Sequence, residues 1–194
     1  DVPDLAAQVM RGLYRFAPAP AASRQATLLF SGSAHSAAQT AAAALQERYD
    51  VGVELWSATS YKALREDALA AERWNRLHPS QPARTPLVAD LLAGSPGPVV
   101  AVTDFMKIVP EQIARWLPGR NFTPLGTDGM GRSDTREALR RYFEIDEGHV
   151  VVAVLSALAG QGQVDADLVA KAIADYAIDP EALDPSWVCT PGRV

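Results

Sequence analysis

Cysteine is almost absent: Cys189 stands alone, close to the C-terminus. No disulfide can form within the chain, and a reducing compartment is compatible with the sequence. Histidine is scarce too. His35, His78 and His149 lie far apart, and none stands at a zinc-like spacing from Cys189, so each is read as structural rather than as a metal ligand. No apolar run approaches the roughly 20 residues that span a bilayer, and no secretory signal is evident; the expected setting is the cytoplasm. Positive charge is also in short supply. A net charge of −5 gives no reason to expect nucleic acid or an anionic membrane as a partner. Ser31 and Ser33 lack the Gly-x-Ser-x-Gly elbow of a serine hydrolase. A dinucleotide fingerprint needs three spaced glycines, and only Gly32 follows the first predicted core strand. No internal repeat is present.

What remains is an ordinary globular balance, 48% apolar and 21% charged over 194 residues, enough for one domain with a core of its own. Asp4 to Phe16 places Ala6, Val9, Met10 and Leu13 on one face of an amphipathic helix, and Ala17 to Gln25, with Pro18 and Pro20, reads as linker. Ala26–Ser31 is a short apolar strand, followed by an alanine-rich helix from His35 to Tyr49 with Ala38, Ala41, Ala42, Leu45 and Tyr49 on one face. Val51–Trp56 alternates Val51, Val53 and Leu55 inward, and a helix from Tyr61 runs until Pro79 prevents it. A short helix is expected over Leu87–Leu92 and a strand buried on both faces over Val99–Thr103. A helix then runs to Leu117, with Pro110 in its first turn, and Phe122–Leu125 is the last strand. His149–Ala159, capped by Asp146, leans toward strand at Val150–Val152 by propensity, but its length argues for a buried helix. Asp165 caps a final amphipathic helix carrying Leu168, Val169, Ala172, Ile173, Tyr176 and Ala177. Strands alternating with helices indicate an α/β fold: three layers, α/β/α, around a mostly parallel open sheet.

The stretch Leu125–Glu137 organises the rest. Three glycines within six residues, Gly126, Gly129 and Gly131, let the chain turn sharply after the strand. Asp134, followed three positions later by Glu137, is an acidic capping box for a helix that buries Ala138, Leu139, Tyr142 and Phe143 and leaves Arg136, Arg140 and Arg141 in water. Gly126-Thr127-Asp128-Gly129-Met130-Gly131-Arg132-Ser133-Asp134 resembles a Gly-Thr-Asp-Gly-Phe-Gly-Arg-Ser-Asp signature of the homodimeric, thiamine-dependent pyruvate dehydrogenase family, with Met130 in place of Phe. Three further blocks are similar to that family. They are Glu72-Arg73-Trp74-Asn75-Arg76-Leu77-His78-Pro79, Asp104-Phe105-Met106-Lys107, and the turn after Leu28-Leu29, where Phe30 replaces a glycine.

The resemblance implies the family's C-terminal domain, a transketolase C-terminal domain-like fold with one antiparallel strand. On that reading residues 1–25 are a helix and linker from a preceding domain, 26–178 the α/β domain, and 179–194 a tail in which order fades. The start at Asp1 without methionine is read as a piece of something longer. The family's enzyme decarboxylates pyruvate on thiamine diphosphate and acetylates the lipoyl group of dihydrolipoyl acetyltransferase. Its magnesium and cofactor motif, Gly-Asp-Gly followed by Asn-Asn, is not matched, since no asparagine follows Asn121. No catalytic, cofactor or metal residue is therefore assigned here; the chain's expected partners are the preceding domains, a homodimer partner and the acetyltransferase. Candidate interface residues are Glu72, Arg73, Trp74, Asn75, His78, Asp104, Lys107, Asp128, Arg132, Ser133 and Asp134. Two choices stay open. Asp104 and Lys107 are either an i, i+3 pair or contacts across a subunit boundary, and the Gly126–Asp134 turn is either a capped turn or an anion site at a helix N-terminus. A stand-alone ligand- or partner-binding module of the same fold is the alternative to the whole reading. A transketolase-type relative is disfavoured by the Glu72–Pro79 octet.

Overall fold

The computed structural model describes residues 5–186. Its centre is a five-stranded sheet: β1 (Leu13–Ala17), β2 (Arg24–Phe30), β3 (Val51–Ala58), β4 (Val99–Val102) and β5 (Phe122–Leu125), in the order β1-β3-β2-β4-β5. β2 runs parallel to both β3 and β4, and β4 parallel to β5; β1 alone is antiparallel, on the outer edge of β3. Each face carries its own core. On one face Leu28, Val53 and Val100 pack under α2 (His35–Tyr49) and α7 (Glu147–Ala159), with α8 (Ala166–Asp175) beyond. On the other, Leu29, Trp56, Val99 and Ala101 pack under α3 (Tyr61–Leu77), α4 (Leu87–Leu92) and the segment around Ile113 and Trp116. The expected three-layer α/β/α arrangement, with one strand reversed, is the one observed.

Several elements differ from the sequence reading. The N-terminal helix α1 covers only Leu5–Arg11; Gly12, at φ 100°, turns the chain back, and Leu13–Ala17 becomes β1. The sheet thus begins inside the segment expected to be helix and linker, before Ala26. β3 is buried on both faces, because Trp56 and Ala58 lie under the second helical layer. The continuous helix to Leu117 is instead a four-residue α5 (Ile108–Glu111) and a 3-10 turn, Ala114–Trp116. The i to i+3 bonds Trp116 N–H to Ile113 O and Leu117 N–H to Ala114 O tighten the chain so that Ile113 and Trp116 both reach the core.

The cap of α6 (Arg136–Tyr142) is Thr135, whose hydroxyl accepts from Ala138 N–H at 3.2 Å. Asp134 accepts from Thr135 N–H at 2.8 Å, so the Asp134/Glu137 box does not form. Asp146 does cap α7, accepting from His149 N–H at 2.9 Å. Asp165 sits at the N-cap of α8 but makes no side-chain capping bond. Of the arginines expected in water, only Arg136 is exposed. Arg140 donates to Ser33 O at 2.7 Å and Ser36 Oγ at 3.1 Å, and Arg141 to Tyr176 O at 3.0 Å and Asp146 Oδ2 at 3.3 Å. The tail through Ser186 is folded back on the domain; Cys189 lies outside the described residues.

Candidate docking face at the carboxyl ends of the strands

The chain passes from β2 outward to β3 and then crosses back to β4, so the strand order reverses between β2 and β4. Outside the carboxyl ends of such strands lies the crevice where open α/β sheets present their functional loops. Here the loops after β2, β4 and β5 are tied together. Ser31 Oγ and Thr103 Oγ1 form a buried hydrogen bond of 2.6 Å between the ends of β2 and β4. Asp104 Oδ2 accepts from Ser33 N–H at 3.1 Å, while its Oδ1 is buried without a partner. From β5, Thr127 returns two bonds to the β4 loop, its N–H to Phe105 O at 2.9 Å and its hydroxyl to Asp104 O at 3.0 Å.

Lys107 contacts Asp128 rather than Asp104. Its backbone N–H donates to Asp128 Oδ1 at 3.1 Å, and its ammonium lies 3.9 Å from Oδ2. Of the two readings left open for Asp104 and Lys107, the i, i+3 pair does not form: Asp104 Oδ2 accepts from the β2 loop and Lys107 pairs with Asp128. Asp104, Lys107 and Asp128 therefore belong to one cluster, brought together by three strand ends, and Asp134 lines the same crevice as Asp104. Arg132 lays its guanidinium over Tyr142, 4.3 Å from the ring centroid, and Ser133 is exposed. The oxygens of Asp134 and Thr135 accept from two of the N–H groups at the start of α6, those of Thr135 and Ala138. A crevice of about 350 Å³ between this cluster and α6 is lined by Ser33, Asp104, Thr127, Arg136 and Arg140 over Leu139, Phe143 and Ile145.

What the sequence reading missed is the surface around this cluster. Phe105 and Met106 on the β4–α5 loop and Ile108 at the start of α5 are 55%, 55% and 57% exposed, and Met130 on the adjoining turn is 63% exposed. Apolarity alone could not distinguish these residues from core. Large apolar side chains gathered on two loops joined by hydrogen bonds form a patch of the kind that marks a protein–protein contact. α1 shows the same property: it buries no residue, and Leu5, Val9 and Met10 are exposed.

The octet residues form a second cluster elsewhere. α3 starts at the carboxyl end of β3 and returns toward the start of β4, so its C-terminal half lies away from this cluster, toward the opposite end of the strands. At that end, the amino end of the strands, Glu72 accepts from Trp116 Nε1 at 2.7 Å and pairs with Arg115. Trp74 is sandwiched between the His78 ring, stacked at 3.6 Å, and the Arg84 guanidinium, 3.5 Å from its centroid. Asn75 grips the backbone of Arg84 twice, accepting from its N–H at 2.7 Å and donating to its carbonyl at 2.9 Å. Every one of these contacts is internal: the octet fastens α3 to the loop before α4 and to the 3-10 turn. Arg73 and Leu77 remain exposed. Among the described residues no group of three or more His, Cys, Asp or Glu side chains could hold a metal ion, and no helix is long and apolar enough to cross a membrane.

Residues 12–146 match the family model of the transketolase-like TK C-terminal domain. The chain belongs to that family. Among curated proteins it is similar to the pyruvate dehydrogenase E1 component of Pseudomonas aeruginosa, 46% identical over 164 residues, covering 84% of this chain and 19% of that protein. The pyruvate dehydrogenase E1 component of Mycobacterium tuberculosis is 45% identical over 185 residues, 95% of this chain and 20% of the relative. The chain thus spans about a fifth of the length of the curated relatives it matches. Among solved structures, a split gene transketolase described as an inactive beta4 tetramer aligns with a TM-score of 0.51 at 17% identity, over 77% of this chain and 43% of that one. That likeness supports the transketolase C-terminal-like fold.

Proposed function

We propose that this chain is the C-terminal, architectural portion of a cytoplasmic, homodimeric pyruvate dehydrogenase E1 component, an enzyme that decarboxylates pyruvate on thiamine diphosphate and passes the acetyl unit to the lipoyl group of dihydrolipoyl acetyltransferase. The carrying observation is the match to E1 components about five times longer than the match itself. The rest of such a polypeptide is the occupant that the bare patch of Phe105, Met106, Ile108 and Met130 calls for. The residues here do not suit thiamine diphosphate and its magnesium. The crevice offers two carboxylates, Asp104 and Asp134, and Asp134 already accepts from Thr135 N–H; among the described residues no group of three or more such ligands could hold a metal ion, and no asparagine is available in or after the glycine-rich turn. Cofactor and chemistry are therefore assigned to the preceding domains, and no catalytic step is derived through them here.

The chain's role on this reading is to brace those domains and the dimer through the loops after β4 and β5. Asp104, Lys107 and Asp128 hold those loops in shape, and Glu72, Trp74, Asn75 and His78 hold the opposite end. The test is complementation in trans. The Pseudomonas relative lacking its matching segment is coexpressed with this chain, and the two are expected to copurify. Changing Phe105 and Met106 together to serine is expected to weaken that association roughly tenfold or more, the loss of two apolar anchors from an interface. Copurification unaffected by the double change would refute the docking face. A chain that remains apart from the truncated relative would favour the stand-alone module, for which the 350 Å³ crevice is the natural ligand site.

A further inference from the structure

The Gly126–Gly131 turn meets the chain's own C-terminal segment. A Cβ on Gly129 would lie 2.2 Å from Pro185 O and 3.2 Å from Ser186 Cα. Gly129 also adopts φ 97°, so two separate constraints require glycine there. Pro185 is buried. The approach to it is preorganised: Asp184 Oδ1 accepts from Ser186 N–H at 2.8 Å and Ser186 Oγ at 2.7 Å. Burial works against the ionised Asp184 carboxyl, but the Ser186 hydrogen bonds and the nearby Lys107 charge hold it below the usual range. Lys107 pairs with the carboxylate of the turn, Asp128. At its other end the segment leaves α8 through Tyr176 and Ala177, whose carbonyls both accept from Arg141 of α6. Between the two anchors Asp179 closes a turn, accepting from Glu181 N–H at 3.0 Å through its side chain and from Ala182 N–H at 3.2 Å through its carbonyl.

We propose that Tyr176–Ser186 is an intramolecular strap, fixed to α6 through Tyr176 and Ala177 at one end and to Gly129 at the other, that holds the glycine-rich turn and the loop between β4 and α5 in the conformation of the docking face. The last clause rests on the docking role proposed above; the strap itself does not. Because Thr127 and Lys107 bond the two loops together, whatever fixes the turn fixes the apolar residues beside it.

Hydrogen exchange on the chain alone tests this. A chain ending at Ser186 is expected to exchange like the full chain. One ending at Ile178 is expected to exchange the Lys107 and Thr127 amides roughly tenfold faster, while the thermal midpoint stays within roughly 3 °C, the behaviour of a local rather than a global opening. Unchanged exchange at Lys107 and Thr127, loss of protection already in the chain ending at Ser186, or melting of the whole domain would each overturn the proposal. Gly129→Ala in the full chain is the second variant. It is expected to speed exchange at Ser186 as well as at Thr127, because its methyl group meets the Pro185 carbonyl; protection retained at both would also overturn it. These rates are read without any partner, so failure of the copurification test leaves them where they are, and failure of the strap leaves that test intact.

Discussion

Arg120→Ala is expected to lower the free energy of unfolding by about 3 kcal/mol, because it removes a set of part-buried, charge-assisted hydrogen bonds and leaves Gly97 O without its donor. Arg120 stands just before β5 and reaches under the amino ends of the strands. Its guanidinium donates to Leu92 O at 3.0 Å, Gly97 O at 2.7 Å, Pro96 O at 3.2 Å and Thr27 Oγ1 at 3.0 Å. Thr27 Oγ1 in turn donates to Pro96 O at 2.7 Å. One planar fork thus closes the loop before β4 onto β2. Burial pulls the Arg120 pKa down and the Glu54 carboxylate pushes it back up. Glu54 is itself buried in β3, accepting from Trp56 Nε1 at 2.8 Å and from Arg15 at 3.3 Å. Arg120→Lys is expected to recover less than half of the loss, since an ammonium cannot span the same set of carbonyls. Urea denaturation of the two variants gives both numbers; a loss below about 1 kcal/mol for the alanine variant would mean that water replaces the fork.

The second large effect belongs to the glycine-rich turn. Gly126→Ala is expected to cost about 1–3 kcal/mol, as overpacking does when the neighbours cannot yield. The added Cβ would lie 2.5 Å from Phe105 O and 2.8 Å from Lys107 N, both backbone atoms of the paired loop. That loop carries Phe105 and Met106, so the same change is expected to weaken association in the copurification assay. Gly131→Ala is the internal control. No atom lies within 4 Å of its Cβ position, and its effect on stability is expected to stay within about 0.5 kcal/mol, the usual range for a surface change. Equal losses at both glycines would show that backbone freedom, not close approach, governs the turn.

Much of this architecture is legible in the sequence, for local reasons. α7 is a helix despite Val150-Val151-Val152, because an apolar stretch of that length, capped by Asp146, buries more of itself as a helix between α2 and α8 than as a strand. β4 reads as a central strand because both its faces are covered, and it is buried throughout. β1 was hidden because Leu13 continues the spacing of Ala6, Val9 and Met10; the break at Gly12 was the available signal. The cap at Thr135 was displaced from Asp134 by one residue, a choice set by which oxygen reaches which N–H.

The partners of Arg120, Arg140 and Arg141 are legible in no local window, since each bonds to backbone carbonyls of distant segments. The same holds for the candidate site. Asp104, Lys107 and Asp128 were recognisable as motif residues, but their arrangement follows from three strand ends meeting. The exposure of Phe105, Met106 and Ile108 became visible only once the core had been filled by other side chains.

On the proposed role, this chain stands beside the chemistry and not in it. The most direct test is calorimetric titration of thiamine diphosphate, with magnesium, into the isolated chain. The predicted result is no saturable heat at any cofactor concentration that saturates a complete E1 component. Stoichiometric, saturable binding would contradict the account, because it would put the cofactor's grip in residues assigned here to support.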